Sequence, residues 1–219
     1  MADNAFLDKG IVLGYCFYTD THHVRCRDYI EDNDIDFYGT KQIEEIFQKA
    51  KDHIIKRHRR AIIEFVRRLK KEYSGTLTQD DITEIQDSID RYDNPAWRYL
   101  LDFFDNKSGE QVYPVSKKLR QLARDLEQLA TERNGEIQSK ILGWIRFAEY
   151  SELRDDLSSL FERDEEDYWI AVDAHDLALG VDGVTELATN NPSDFDDETV
   201  REEILEHTAI DEINLIFVS

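Results

Sequence analysis

Cysteine, proline, glycine and methionine are all scarce in this chain of 219 residues, with two Cys, three Pro, nine Gly and one Met. The two cysteines, Cys16 and Cys26, share one apolar stretch, where a buried small side chain is a commoner role for each than a disulfide or a metal ligand. Little Pro and Gly, no low-complexity tract and no internal repeat exclude extended, linker-rich and solenoid chains. No apolar run approaches the roughly 20 residues that cross a bilayer. The opening MADNAFLDKG has neither a basic start nor an apolar signal core, so the expectation is a cytoplasmic protein with no membrane partner. Positive charge is also in deficit, 27 Lys and Arg against 48 Asp and Glu, for a net −21. Such a field repels nucleic acid at long range. It is also the surface of proteins from salt-loaded cytoplasms, as in a halophilic archaeon, where the screening length falls to roughly 3 Å at 1 M salt. Stability that rises with added KCl is the corresponding expectation.

What is present is 41% hydrophobic and 34% charged residues, a balance that suits an ordered, helix-rich fold with one well-buried core. AFLD reads as a short buried strand, and KGIVLGYCFYTDTHHVRCRDYI after it as a helix, with Asp8 at the junction. IDFYGT is a second strand and leads into a long helix from near Lys41, apolar at Ile43, Ile46, Phe47, Ala50, Ile54, Ile62, Phe65, Val66 and Leu69 at the 3.6-residue period. From Ser74 to about Phe161 only helices are expected: one capped by Thr78 or Asp80, one opened by Pro95, and a long periodic stretch interrupted at Asn134 and Gly135. Alternation then returns, with DEEDYWIAVDAHDLALG a helix, VTELAT a strand, DETVREEILEHT a helix, and INLIFVS a closing strand suited to a buried position in a parallel sheet. The chain is therefore α/β with a helical middle.

In an open parallel sheet, helix N-termini gather at the strands' carboxyl edge, where ligands bind. That rule collects Asp8 after the first strand, Glu44 and Glu45 in the first turns of the second helix, Asp164 and Asp167 opening the helix before VTELAT, and Asp194 after that strand. Asp167, Ala171, Ala174 and Ala178 share one helical face, so the helix packs close with Asp167 at its end, while Asp173 and Asp176 are expected in solvent. Clustered carboxylates repel unless a divalent cation compensates them, and oxygen-only ligands favour Mg²⁺ or Mn²⁺. Each acid taken alone is equally an N-cap or a first-turn residue favoured by the helix dipole.

Four segments carry a resemblance. AFLD is similar to the first strand of PIN-domain nucleases, QIEEIFQ to their early second-helix Glu, DYWIAVDA to their Asp-x-x-Ile-Ala-x-x-Ala helix, and TNNPSDF to their Thr-x-Asn-x-x-Asp-Phe. The resemblance implies a three-layer α/β/α sandwich with a mainly parallel central sheet, formed by about residues 1–50 and 162–219, around a helical insertion at about 51–161. It further implies a Mg²⁺- or Mn²⁺-dependent endoribonuclease, as in toxin halves of toxin-antitoxin pairs and in RNA-processing enzymes, with RNA as substrate. An antitoxin-like protein partner and a homodimer are compatible with it. Carried over, Asp8, Glu45, Asp167 and Asp194 are the metal-binding acids, Glu45 chosen over Glu44 because it precedes the apolar Ile46. Asn191 stands where many members carry Asp, which leaves open a catalytically silent module that binds RNA or protein; action on DNA is a further alternative.

One segment opposes the overall charge. KAKDHIIKRHRRAIIEFVRRLKK crowds cations onto the polar side of the second helix, among them Lys56, Arg57, Arg60 and Arg67, as a candidate guide for a phosphate backbone. The competing use is pairing with acidic helices such as DDITEIQDSID. His22, His23, His53 and His58 read as polar-face residues, and Trp97, Trp144 and Trp169 as core.

Overall fold

The computed structural model describes residues 2–91 and 93–216, the side chains of Arg163 and Asp194 excepted. The chain divides into two compact units, a sheet unit of Met1–Phe47 with Arg133–Ser219, and a helical unit of Gln48–Glu132.

The sheet unit opens with strand β1 (Asn4–Leu7), helices α1 (Lys9–Cys16) and α2 (His23–Asp32) and strand β2 (Asp36–Thr40). Helix α3 (Ile43–Glu72) begins here and runs on into the helical unit, which holds α4 (Gln79–Asp87), α5 (Trp97–Phe104) and most of α6 (Val112–Gln138). The chain then forms β3 (Ile141–Trp144), α7 (Leu153–Asp156), α8 (Ser158–Arg163), α9 (Glu165–Gly180), β4 (Thr185–Thr189), α10 (Pro192–Phe195), α11 (Glu198–His207) and β5 (Glu212–Leu215). All five strands are parallel, in the order β3-β2-β1-β4-β5, with helices flanking the sheet as an α/β/α sandwich requires.

Strand alternation assigns the two faces. Phe6 and Leu187 point into a cluster with Leu160, Tyr168, Val172 and Leu177 from α8 and α9. The opposite face carries Ala5, Phe37 and Glu186, and α2 covers it through Tyr29, whose ring meets Phe37 edge-on and whose hydroxyl donates to Glu186. Ala171 and Ala174 are fully buried where α9 packs on β1 and β4, so the small-residue face brings the helix close to the sheet. The helical unit has its own core, with Ile62, Phe104, Leu119 and Leu126 completely buried. Among the described residues no helix is long and apolar enough to cross a membrane.

Several elements differ from the sequence-based expectation. The first helix is two, because Asp20 accepts from His22 N at 2.8 Å and its own N–H bonds Phe17 O at 2.8 Å, a polar turn that outcompetes the helix. Asn134 and Gly135 do not interrupt α6; Asn134 is buried and donates to Glu44, which offsets the helix cost of the glycine beside it. ILGW, expected to be helical, is the edge strand β3 beside β2. INLIFVS supplies β5 at the opposite edge, half-buried rather than central, and its last three residues lie outside the described ones. His23 and His58 are buried, not on polar faces: His23 Nδ1 bonds Gly14 O at 2.9 Å. Of the three tryptophans expected in the core, Trp169 is 37% exposed.

Candidate functional site

In the order β3-β2-β1-β4-β5 the chain winds one way from β1 to β2 and returns on the other side with β4. The crevice beyond the carboxyl ends of β1 and β4 is therefore the topological switch point, the place where open α/β sheets bind ligands. The register pairs Leu7 with Ala188, so Asp8, just past β1, lies beside Thr189, the last residue of β4.

Asp8 fills the N-cap position of α1, with Oδ1 accepting from Gly10 N at 3.3 Å. Capping alone needs no burial, yet Asp8 is 2% exposed and its Oδ2 accepts from the Thr189 hydroxyl at 2.7 Å. Burial raises the Asp8 pKa above the ordinary carboxylate value, opposed by the Thr189 and Gly10 hydrogen bonds and by the Lys9 ammonium. Asp167, 1% exposed, enters from the first turn of α9, where Asp164 caps the helix by accepting from Glu166 N and Asp167 N. Asn191 Nδ2 donates to Asp167 Oδ2 at 2.8 Å. The orientation of that amide is fixed, because Asn191 Oδ1 accepts from Ser193 N at 3.1 Å as the cap of α10.

The two buried carboxylates are joined by a continuous relay. Asn191 N donates to Thr189 Oγ1 at 3.0 Å, Thr189 donates to Asp8, and the Asn191 amide donates to Asp167. Lys9 adds a cation: burial lowers its pKa, but the ammonium is paired with Glu166, and that pairing, with the charges of Asp8 and Asp167, outweighs burial and raises it. Asn190 closes the back of the site by donating to Gly10 O at 2.9 Å. A Cβ on Gly10 would lie 1.9 Å from Asn190 Oδ1, so any larger residue there would displace the Asn190 amide.

Of the residues singled out in the sequence, Asp8, Asp167 and Asn191 thus come together. Glu45 is exposed in the first turn of α3, and Glu44 accepts from Asn134. Asp194 belongs to α10, but its side chain lies outside the described residues. Among the described residues no group of three or more His, Cys, Asp and Glu is disposed to hold a metal ion. The donors present are nonetheless of the right kind: Mg²⁺ is commonly held by one or two carboxylates, with water and substrate phosphate completing its shell. Asp8 and Asp167 supply such a pair. Sequence reasoning missed Thr189, Lys9 and Glu166; the signals were a hydroxyl residue ending a buried strand and a Lys directly after the junction Asp.

Asp176 is a correction. Expected in solvent, it is 1% exposed and accepts from Trp144 Nε1 at 2.8 Å, Phe147 N at 3.0 Å and the Tyr150 hydroxyl at 2.9 Å. Asp173 is half-buried and paired with Arg146 at 2.9 Å, and burial raises its pKa. On α3, Lys56, Arg57, Arg60 and Arg67 are exposed, Arg60 bonding Glu64 at 2.9 Å. Pairing with an acidic helix occurs for Lys51 and Arg59, but with Glu127 of α6 rather than with α4.

Comparison with protein-family models, with curated proteins and with solved structures finds no match to this chain.

Proposed function

We propose that this chain is a divalent-cation-dependent endoribonuclease that hydrolyses RNA phosphodiester bonds at the switch-point site, the activity implied by its resemblance to PIN-domain nucleases. One observation carries the reading: two buried carboxylates, Asp8 and Asp167, tied through Thr189 and Asn191 at the crevice where such sheets bind ligands. Asp8 and Asp167 would hold Mg²⁺ or Mn²⁺. A cation there supplies Lewis-acid activation of water and charge neutralisation at the scissile phosphate. Thr189 fixes the Asp8 carboxylate through Oδ2, while Oδ1 accepts the long bond from Gly10 N. Asn191 orients Asp167 by donating to one of its oxygens. Lys9, next in sequence to Asp8 and under the charge of both carboxylates, would meet a phosphate oxygen as its pairing with the exposed Glu166 gives way.

A second reading is favoured by Asn191 itself. Its amide donates to Asp167 where many PIN-domain members have a carboxylate, and a site with one acid fewer suits a catalytically silent module that binds RNA or protein. Cleavage of mixed-sequence RNA and single-stranded DNA in Mn²⁺, at several KCl concentrations, separates the readings. We expect cleavage, with RNA preferred, reduced at least about 100-fold in Asp8→Asn and Asp167→Asn, the size of effect seen when a transition-state electrostatic contact is removed. Activity that survives both substitutions removes the site, and absence of any cleavage leaves the binding module.

A further inference from the structure

Beyond the ends of β2 and β3, and against the first turns of α9, lies an open groove of about 960 Å³. One side is the segment 144–149 after β3, the other is Tyr168, Trp169 and Asp173 of α9, and Lys41 and Arg154 also line it. Its chemistry is aromatic and cationic together. Phe147 is 80% exposed and Trp169 37%. The Arg146 guanidinium lies 4.5 Å over the Trp169 ring, and that of Arg154 lies 4.2 Å over Phe161.

The exposure of Phe147 is enforced by its surroundings. Its backbone N–H is held by buried Asp176, which at the same time takes the indole of Trp144 and the hydroxyl of Tyr150. Tyr150 adopts φ 47°, the one left-handed non-glycine residue among those described, and its ring packs edge-on against His175. Trp144 supports Phe147 edge-on with centroids 5.4 Å apart, and it does so over Gly180, where a Cβ would lie 2.9 Å from the indole. A buried charge and a strained residue thus fix a short segment in a shape that leaves a large apolar ring in water. Strain and exposed aromatic surface of this kind collect at binding sites.

We infer that this groove holds a single-stranded stretch of nucleic acid beside the Asp8–Asp167 site, its bases stacked on Phe147 and Trp169. The inference rests on the nuclease reading for its substrate class and adds the surface that grips it. Continuity comes from Glu166, which lines the groove and pairs with Lys9, the residue that follows Asp8. Every base has a π-face, and aromatic rings flanked by guanidinium groups are the usual platform for it. Bases inside a duplex are already stacked and cannot use such a platform, so the occupant is single-stranded. Charge agrees with stacking as the main attraction. Lys41, Arg146 and Arg154 face Glu149, Glu165, Glu166 and Asp173, with Asp173 bound to Arg146 and Glu166 to Lys9. The groove is therefore close to neutral on a chain of net charge −21. With Lys41, Arg146 and Arg154 in the groove and Lys9 beside it available for phosphates, the slope of log affinity against log salt is about −3 or shallower.

The test is fluorescence anisotropy of a labelled ten-nucleotide single-stranded RNA with the full chain in EDTA, from 0.1 to 1 M KCl. We expect binding with that shallow slope, weakened about 5- to 100-fold by Phe147→Ala and by Trp169→Ala, the range for loss of one stacked base. Phe147→Trp should restore it, which a role in folding alone would not require. Unchanged binding in both alanine variants overturns the inference. So does a wild-type chain that binds no RNA but dimerises through this surface, as shown by light scattering that turns monomeric in Phe147→Ala. Failures of the two proposals are distinguishable: RNA held in EDTA but never cut in Mn²⁺ removes the nuclease reading alone. Cleavage with an unchanged KM in Phe147→Ala removes the groove alone.

Discussion

The two units of this chain treat charge in opposite ways. In the sheet unit Asp8, Asp167, Asp176 and Glu186 are buried, each meeting donors from elsewhere in the unit. In the helical unit the buried polar side chains among the described residues are neutral, His58 and Ser116, while carboxylates such as Glu64 and Glu127 stay in water opposite Arg60 and Arg59. Exposed pairs contribute about 0–1 kcal/mol, whereas a buried carboxylate costs several kcal/mol unless it is compensated. A fold retains such a group where it holds something. Asp176 holds the segment after β3, Glu186 ties Tyr29 to Asn214, and Asp8 and Asp167, joined through Thr189 and Asn191, are the pair for which we propose a ligand. The proposed chemistry lies in the sheet unit, and the helical unit contributes an apolar core under a charged surface.

Substitutions can break this contrast, beginning with the most severe. Phe104→Ala should cost about 3–5 kcal/mol in urea unfolding, since the ring is fully buried and packs at a tilt against Phe65 with centroids 5.6 Å apart. If chemistry resides in the sheet unit, the folded variant keeps its response to Mn²⁺. Asp176→Ala should cost about 3 kcal/mol by orphaning the Trp144, Phe147 and Tyr150 donors, and should open the segment 145–151 to protease.

The pH dependence sharpens the same contrast from the helical side. Burial, and then the charge of Arg57, push the His58 pKa down to about 4. The folded state keeps the imidazole neutral while the unfolded chain protonates near 6.5, so stability is full above about 6.5 and falls as pH drops toward 4. The loss is about 3 kcal/mol at most, and His58→Phe should flatten the denaturation profile across that window. At the weak end, Arg59→Ala removes a surface pair with Glu127 and a bond to Ala123 O, for about 1 kcal/mol or less.

What the sequence made legible follows the same division. Asp8 and Asp167 sit at strand and helix ends whose local pattern is strong, so their shared edge is legible in the sequence, whereas Glu44 and Glu45, placed on the same edge by the same rule, are exposed and Asn191 is flagged by the resemblance alone. β3 could not, because four residues with a glycine give no period and its pairing partner lies about a hundred residues earlier. Asp176 was misplaced for a related reason: its burial is created by Trp144, Phe147 and Tyr150 arriving from another part of the chain. His58 lies among cations on a helix whose apolar stripe marks the core, and it is Tyr99 of α5, with ring centroids 6.0 Å away, that covers it.

The most direct measurement is Mn²⁺ binding to the full chain, followed by electron paramagnetic resonance, for wild type, Asp8→Asn and Asp167→Asn. The account predicts one site in the wild type that is lost in both variants, with circular dichroism showing all three folded. Equal stoichiometry and affinity in the three proteins would contradict it.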